Sequence, residues 1–194
     1  MAVNVKEIFG PWYQGFALDK HMIRSTFTGH DDQGHATFNN ERTEAGEAVY
    51  QLKYKLDNRQ ALRLANAINT HIIPRFKVRP GLIVPMPASK ERNFQPVALV
   101  ADELGKLTGL PVFHNLLLKH KTGVSLKDLG EKQQKLDELK GKMYIGGGIT
   151  NEGCWNALLV DDLFDSGASM ECATHTLKSY GKIDKVLVAA MTWK

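Results

Sequence analysis

Residues 157–180 constrain the fold of this chain more than any other stretch. Four apolar residues, Ala157–Val160, lead directly into two adjacent carboxylates, Asp161 and Asp162. A turn rich in serine and glycine follows, and apolar residues then recur at helical spacing from Ala168 to Tyr180. The pattern predicts a buried strand, a tight turn and a helix, with the two acids at the end of the strand.

Segments of helical and strand-like pattern alternate along most of the chain. The predicted helices are residues 44–56, residues 58–73, a segment from Phe94 to a stop at Gly109, and residues 126–139, and the other predicted strands are residues 82–84, 112–118 and 185–191. This alternation predicts an α/β fold, a Rossmann-like parallel sheet flanked by helices. Such sheets bind ligands at the carboxyl ends of their strands, so the loops after Val84 and Val160 are the candidate sites.

The first forty residues follow a different pattern. They are irregular and aromatic, although Met22–Thr28 and His35–Phe38 resemble two strands joined at the turn residues Asp31–Gly34. We therefore expect two parts: residues 1–40 as an N-terminal hood or appendage that contains a β-hairpin, and residues 41–194 as the core.

Composition narrows the class of protein. The chain has 194 residues, a net charge of +4 and only two cysteines, Cys154 and Cys172, which form no zinc-binding or disulfide pattern. It lacks the roughly 18-residue apolar run of a membrane span and the pattern of a secretory signal at the N-terminus. We expect a cytoplasmic protein with no membrane partner. The mild positive charge is compatible with an anionic ligand or with nucleic acid.

The turn after the acid pair has the chemistry of an anion site. A helix N-terminus offers free backbone N–H groups and a favourable dipole, which together suit a phosphate. Gly167 lets the backbone approach closely, and Ser166 and Ser169 add hydroxyl donors. Asp161 and Asp162 can hold ribose hydroxyls or waters bound to Mg²⁺.

The run from Leu158 to Ser169 resembles the signature with which type I phosphoribosyltransferases bind 5-phosphoribosyl-1-pyrophosphate (PRPP). The resemblance implies that Asp161 and Asp162 contact the ribose and, through it or through water, Mg²⁺ as the cofactor. It also implies that the turn holds the 5-phosphate; its residues are Asp165, Ser166, Gly167, Ala168 and Ser169. In purine-salvage members an acid at the position of Asp165 lies near the base, which implies a general base; a helix-capping aspartate is the alternative.

The resemblance extends to a subgroup, the ComF-like competence family (amidophosphoribosyltransferase-like). It is carried by Val84–Pro87, Arg92–Pro96 and Ala101–Leu104. The chain departs from that family in lacking a cysteine-rich module, in an arginine motif that is one residue shorter, and in having Asp165 where threonine is common. These departures weigh against a competence role and leave the implied PRPP binding unchanged.

Two further loops are implied to meet the pyrophosphate of PRPP. The first follows the strand at Val84 and offers backbone amides and cations; its residues are Ala88, Ser89, Lys90 and Arg92. The second falls where the family has a mobile catalytic loop, and Lys121 is the residue expected to reach the leaving group. For both loops, a solvated basic surface is the alternative.

The resemblance implies a phosphoribosyltransferase that uses PRPP and Mg²⁺ to transfer the phosphoribosyl group to a nitrogen of a small acceptor molecule. Two alternatives stay open: a regulatory protein that binds PRPP or nucleotides without turnover, and a ComF-like accessory factor in DNA uptake or processing. Nucleic-acid binding and a homodimer are likewise open, and the acceptor is beyond the reach of the sequence.

Overall fold

The structure is a computed structural model that describes residues 1–88, 95–121, 123–124, 126 and 128–194. The strands are β1 (Lys6–Glu7), β2 (Gln14–Lys20), β3 (Arg24–His30), β4 (Ala36–Glu41), β5 (Leu82–Pro85), β6 (Leu117–Lys119), β7 (Met143–Ile145), β8 (Trp155–Phe164) and β9 (Ile183–Trp193). The helices are α1 (Glu44–Tyr54), α2 (Arg59–His71), α3 (Pro96–Thr108), α4 (Lys132–Leu139) and α5 (Ala168–Lys178), with a short 3-10 turn at Ile73–Arg75.

The central sheet has five strands in the order β1-β2-β9-β8-β5. All neighbouring pairs are parallel except β1 with β2, which are antiparallel. Two apolar clusters cover the two faces of the sheet, one containing the buried residues of α1, α2 and α3 and the other those of α4 and α5. This arrangement confirms the predicted α/β class with a mainly parallel sheet flanked by helices.

Strand β2 is the main addition to the predicted sheet. It pairs in parallel with β9, where Phe16 lies opposite Ala189 and Ala17 opposite Ala190. Its central residues are buried, so part of the predicted N-terminal appendage lies inside the core sheet. The rest of that appendage includes the antiparallel hairpin of β3 and β4, with Phe27 opposite Phe38. Whether residues 1–40 act as a hood stays a prediction.

Several predicted boundaries are corrected by long-range pairing and local capping. Of predicted strand 112–118, only the last residues form β6, which pairs with β7 in a separate small sheet. Helix α4 begins at Lys132 because Glu131 and Gln134 form a reciprocal capping box. Helix α5 ends at Lys178 with Ser179 as its cap, before the predicted glycine cap at residue 181. No helix within the described ranges is both long and apolar enough to cross a bilayer.

Candidate functional site

Strand β8 carries the acid pair at the carboxyl edge of the sheet. The strand was predicted to stop at Val160, but it continues to Phe164 because β9 pairs with it along this length, with Asp161 opposite Ala190. The acids therefore lie within the last part of the strand and not beyond it. This pairing holds their backbone rigidly against β9.

Asp161 is the more deeply buried acid, with 9% of its surface exposed. Its Oδ1 accepts a hydrogen bond of 2.8 Å from the backbone N–H of Asp162. Burial chiefly, and the neighbouring charge of Asp162 next, raise the pKa of Asp161 to about 8. Near neutral pH its carboxyl group is therefore mostly protonated, so it can donate as well as accept a hydrogen bond.

Asp162 forms an ion pair with Lys53 of α1. Both side chains are largely buried, with 16% and 27% of their surfaces exposed. Burial lowers the pKa of Lys53, but the attraction of Asp162 and the hydrogen bond to it together raise that pKa above its ordinary value. Lys53 thus stays charged and neutralises Asp162. Lys53 is not predictable from the sequence as a site residue, because nothing local to α1 indicates this partner.

The turn between β8 and α5 is a bend with unpaired backbone amides. Gly167 has a positive φ of 80° and is the N-terminal cap of α5. Within the described part of the chain, the backbone N–H groups of Ser166, Gly167 and Ser169 donate no hydrogen bond, and that of Ala168 makes only a long contact of 3.4 Å with Ser166 Oγ. Unpaired amides at a helix N-terminus are what an anion requires.

Asp165 begins the bend and contacts two lysines. Lys135 of α4, with 12% of its side chain exposed, donates a hydrogen bond of 3.0 Å to Asp165 Oδ2, and Lys194 Nζ lies 4.0 Å from Oδ1. The capping alternative is not what the structure shows, because the cap residue is Gly167 and the carboxylate of Asp165 bonds a lysine. The general-base role stays a prediction.

Lys119 at the end of β6 is a second cation that was not predicted as a site residue from the sequence. Burial lowers its pKa, and the attraction of Asp161 partly opposes that effect, so the two groups are close enough to interact. Lys121, the predicted catalytic lysine, lies two residues further on and is exposed. Its role stays a prediction.

The loop after β5 leaves the sheet beside the acid-bearing strand. Pro85 lies opposite Val160, and the backbone N–H of Met86 donates to the carbonyl of Val160 at 2.8 Å. Ala88, the first predicted residue of this loop, is exposed. Three other predicted residues lie outside the described residues: Ser89, Lys90 and Arg92.

His21 lies at the same edge, immediately after β2. Its Nδ1 is 3.2 Å from Thr192 Oγ1, and Thr192 Oγ1 donates a 2.8 Å hydrogen bond to the backbone carbonyl of Asp162. Burial chiefly, and then the positive charge of Arg42, lower the pKa of His21. The imidazole is therefore neutral at pH 7 and is linked to the acid pair through Thr192.

The acid pair by itself does not fit a magnesium site. Mg²⁺ favours charged carboxylate oxygens and waters. Asp161 is mostly protonated at neutral pH, and Asp162 is already neutralised by Lys53. Across the described ranges, no three His, Cys, Asp or Glu side chains converge as a metal site would require. The geometry suits neutral hydroxyl groups better than a protein-bound cation.

Comparisons with known proteins find distant structural likenesses. No protein-family model matches the chain, and no curated protein matches it. Among solved structures, adenine phosphoribosyltransferase from Trypanosoma brucei is 10% identical, with 97% of this chain and 74% of that chain covered and a TM-score of 0.49.

Two other solved structures show a similar degree of likeness. Adenine phosphoribosyltransferase from Thermoanaerobacter pseudethanolicus is 13% identical, with 89% and 96% covered and a TM-score of 0.43. Hypoxanthine phosphoribosyltransferase from Staphylococcus aureus is 11% identical, with 69% and 62% covered and a TM-score of 0.41. At these values the likeness is too distant to assign an activity, and the ComF-like subgroup stays a prediction.

Proposed function

We propose that this chain binds PRPP and transfers its phosphoribosyl group to a nitrogen of a small acceptor, with release of pyrophosphate. One observation carries the proposal. A bend with unpaired amides, residues 165–169, follows directly after a buried acid pair at the carboxyl edge of a parallel sheet. A sugar phosphate needs these two features side by side, because its hydroxyls and its phosphate lie on one small ring.

The ribose is held by the acid pair in this proposal. Asp161 is mostly protonated near neutral pH, so its carboxyl group can both donate to and accept from a ribose hydroxyl. Asp162 accepts from a second hydroxyl while its ion pair with Lys53 persists, because a neutral hydroxyl does not compete for that charge. The sugar is thus bound without displacing Lys53.

The 5-phosphate is held by the bend. The free N–H groups of Ser166, Gly167 and Ser169 are donors at the positive end of an 11-residue helix. Lys135 and Lys194 beside Asp165 add positive charge at the same end of the sheet. Charge-assisted hydrogen bonds from amides and lysines are stronger than those between neutral groups, which favours a dianionic phosphate.

The transfer joins the acceptor nitrogen to C1 of the ribose while the bond from C1 to the pyrophosphate oxygen breaks. Pyrophosphate leaves with the electron pair, and the acceptor loses its proton to a base or to water. Positive charge develops on the sugar in the transition state, so fixed negative and polar groups around the ribose lower the barrier. Asp165 is the proposed base, and Lys121 and the loop after β5 are proposed to contact pyrophosphate.

Mg²⁺ enters this proposal with the substrate. The phosphate oxygens of PRPP bind Mg²⁺ well, whereas the acid pair offers a protonated carboxyl and a neutralised carboxylate. No step described above therefore depends on a cation held by the protein alone.

The N-terminal segment is proposed as the hood over the acceptor. The hairpin of β3 and β4 lies in the chain between His21 and Arg42. These two residues interact electrostatically with each other at the edge of the site. The backbone N–H of Ile23 donates to the carbonyl of Glu41, which closes the base of the hairpin. Its position suits a cover over the acceptor.

The test measures PRPP binding by calorimetry and pyrophosphate release with a panel of bases and amines. We expect Asp161→Leu to abolish release in a protein that remains folded, because leucine has a similar shape but neither donates nor accepts a hydrogen bond. Asp184→Leu is the matched control, because Asp184 lies near the start of β9, at the opposite edge of the sheet, and pairs only with Lys185 in the described chain. Equal release from wild type and Asp161→Leu would refute the proposal.

A second candidate, PRPP binding without turnover, is favoured by two observations. The proposed base Asp165 is engaged by Lys135, and the proposed catalytic Lys121 is exposed. Tight PRPP binding with no pyrophosphate release from any acceptor would support this candidate. The ComF-like role in DNA processing predicts single-stranded DNA affinity that falls steeply with salt, and no affinity at low salt would remove it.

A further inference from the structure

The hydroxyl group of Thr192 determines which nitrogen of His21 carries the proton. Thr192 is fully buried, and its hydroxyl has one hydrogen, which it donates to the carbonyl of Asp162 at 2.8 Å. The contact between Thr192 Oγ1 and His21 Nδ1 at 3.2 Å must then use the lone pair of the hydroxyl oxygen. His21 Nδ1 is therefore the protonated nitrogen.

It follows that Nε2 of the neutral His21 ring has a free lone pair. In the described part of the chain Nε2 accepts no hydrogen bond. Nε2 is also not one of the fully buried polar side-chain atoms that lack a hydrogen-bond partner. The charged groups that interact with the ring are Arg42, Lys53 and Lys194, which disfavour its protonation, and Asp162, which favours it. Burial and the three cations prevail, so Nε2 is a hydrogen-bond acceptor near neutral pH.

The strand order places Nε2 of His21 on a particular side of the acid pair. The sheet runs β2, β9, β8, β5, so His21 after β2 and the loop after β5 lie on opposite sides of the strand that bears Asp161 and Asp162. A displacement at C1 brings the nucleophile in from the side opposite the leaving group. With pyrophosphate assigned to the loop after β5, the acceptor molecule belongs on the side of His21.

We propose that His21 Nε2 accepts a hydrogen bond from an N–H group of the acceptor molecule, and that the acceptor is a neutral ring or amide that carries such a group. The inference rests on the proposed transferase function. His21 binds and orients the acceptor through this bond. It is not the proton acceptor of the reaction, because the surrounding cations oppose an imidazolium ion.

Two substitutions distinguish the roles of the two ring nitrogens of His21. In His21→Asn the side-chain amide nitrogen can replace Nδ1 as the donor to Thr192, but nothing replaces Nε2. In His21→Gln the amide oxygen reaches the position of Nε2 and can accept in its place. The matched control is His175→Asn, a change at an exposed histidine in the last turn of α5.

The experiment first tests adenine, hypoxanthine, uracil and nicotinamide with PRPP and identifies the base with which wild type releases pyrophosphate. The kinetics of each variant are then measured with that base. We expect His21→Asn to raise the KM for that base about tenfold, with the KM for PRPP within about twofold, and His21→Gln to recover most of the loss. His175→Asn should match wild type. Normal kinetics in His21→Asn with a defect in His21→Gln would instead assign a structural role to Nδ1 and overturn the inference.

Nitrogen NMR of the ¹⁵N-labelled imidazole gives a readout besides activity. We expect Nδ1 to be protonated and Nε2 to be unprotonated. The Nε2 signal should shift when the reactive base binds to the complex of the protein with PRPP. A proton on Nε2 would overturn the inference while leaving the transferase function intact. A wild type that binds PRPP and releases no pyrophosphate with any base would overturn both.

Discussion

Lys53 and Asp162 form an ion pair that joins α1 to the strand bearing the acid pair, across 109 positions of the chain. The positive charge of Lys53 compensates the negative charge of Asp162, which is largely buried and would be costly without a partner. It also ties the helix that follows the N-terminal hairpin to the candidate sugar site. Its removal has consequences for stability that can be measured.

Replacing Lys53 with methionine should leave Asp162 largely buried without its partner. We expect Lys53→Met to lower the free energy of unfolding by about 2 kcal/mol, measured by urea denaturation. The control is Lys55→Met, because Lys55 is exposed two residues away. The double variant Lys53→Met with Asp162→Asn should regain part of the loss, and a loss equal to that of the single variant would contradict this account.

Asp161 should make the folded protein less stable as the pH rises. Its pKa is raised to about 8 in the fold, whereas an unfolded aspartate titrates near 3.9. Below about pH 4 the group is protonated in both states, and between pH 4 and 8 only the unfolded state ionises, which favours unfolding. The Tm advantage of Asp161→Asn over wild type should therefore widen from pH 5 to pH 8 and then level off.

This pH series has a direct control. Asp184→Asn makes the same substitution at an exposed aspartate at the far end of β9, away from the acid pair. An Asp161→Asn variant that gains no stability between pH 5 and pH 8 would show that Asp161 ionises normally in the fold.

Gly167 combines a positive φ with a crowded position. A Cβ there would lie 2.9 Å from the ring of Phe164, and φ is 80°. We expect Gly167→Ala to destabilise the fold by about 1–3 kcal/mol and to abolish PRPP binding, because the bend must shift. Gly109→Ala is the control, since Gly109 has a φ of 71° and open space around it. That variant should lose stability but bind PRPP normally, as calorimetry can establish.

Mg²⁺ alone should leave the melting temperature unchanged. The acid pair presents no preformed cation site, so a few millimolar Mg²⁺ without PRPP should give no thermal shift, while PRPP should raise the Tm in proportion to the logarithm of its concentration. A rise with Mg²⁺ alone that Asp162→Asn removes would show that the acid pair binds the metal directly.

Part of the site was predictable because it depends on neighbours in the chain. The apolar run before Asp161 indicated β8, and the glycine and serines after it indicated the bend and α5. A strand followed by a capped helix requires only hydrogen bonds and backbone angles within a few residues. The same reasoning placed α1 and α2 to within a few residues at each end.

Strand β2 was missed for the opposite reason. Its residues Gly15–Leu18 lie in an irregular aromatic segment with no clear period, and they become a strand only by pairing with β9 near the other end of the chain. Parallel pairing between distant segments leaves no local periodic signal when the strand is buried on both faces.

The sequence by itself determined the local frame: an acid pair, a glycine bend and a helix N-terminus in succession. Only the tertiary structure decided which side chains meet those acids, because Lys53, Lys119 and His21 lie on separate elements whose positions depend on the strand order. The physical reason is the separation along the chain of the residues that interact. Caps and turns are set by bonds between residues near in sequence, whereas burial and ion pairing depend on segments that meet only when the sheet is assembled.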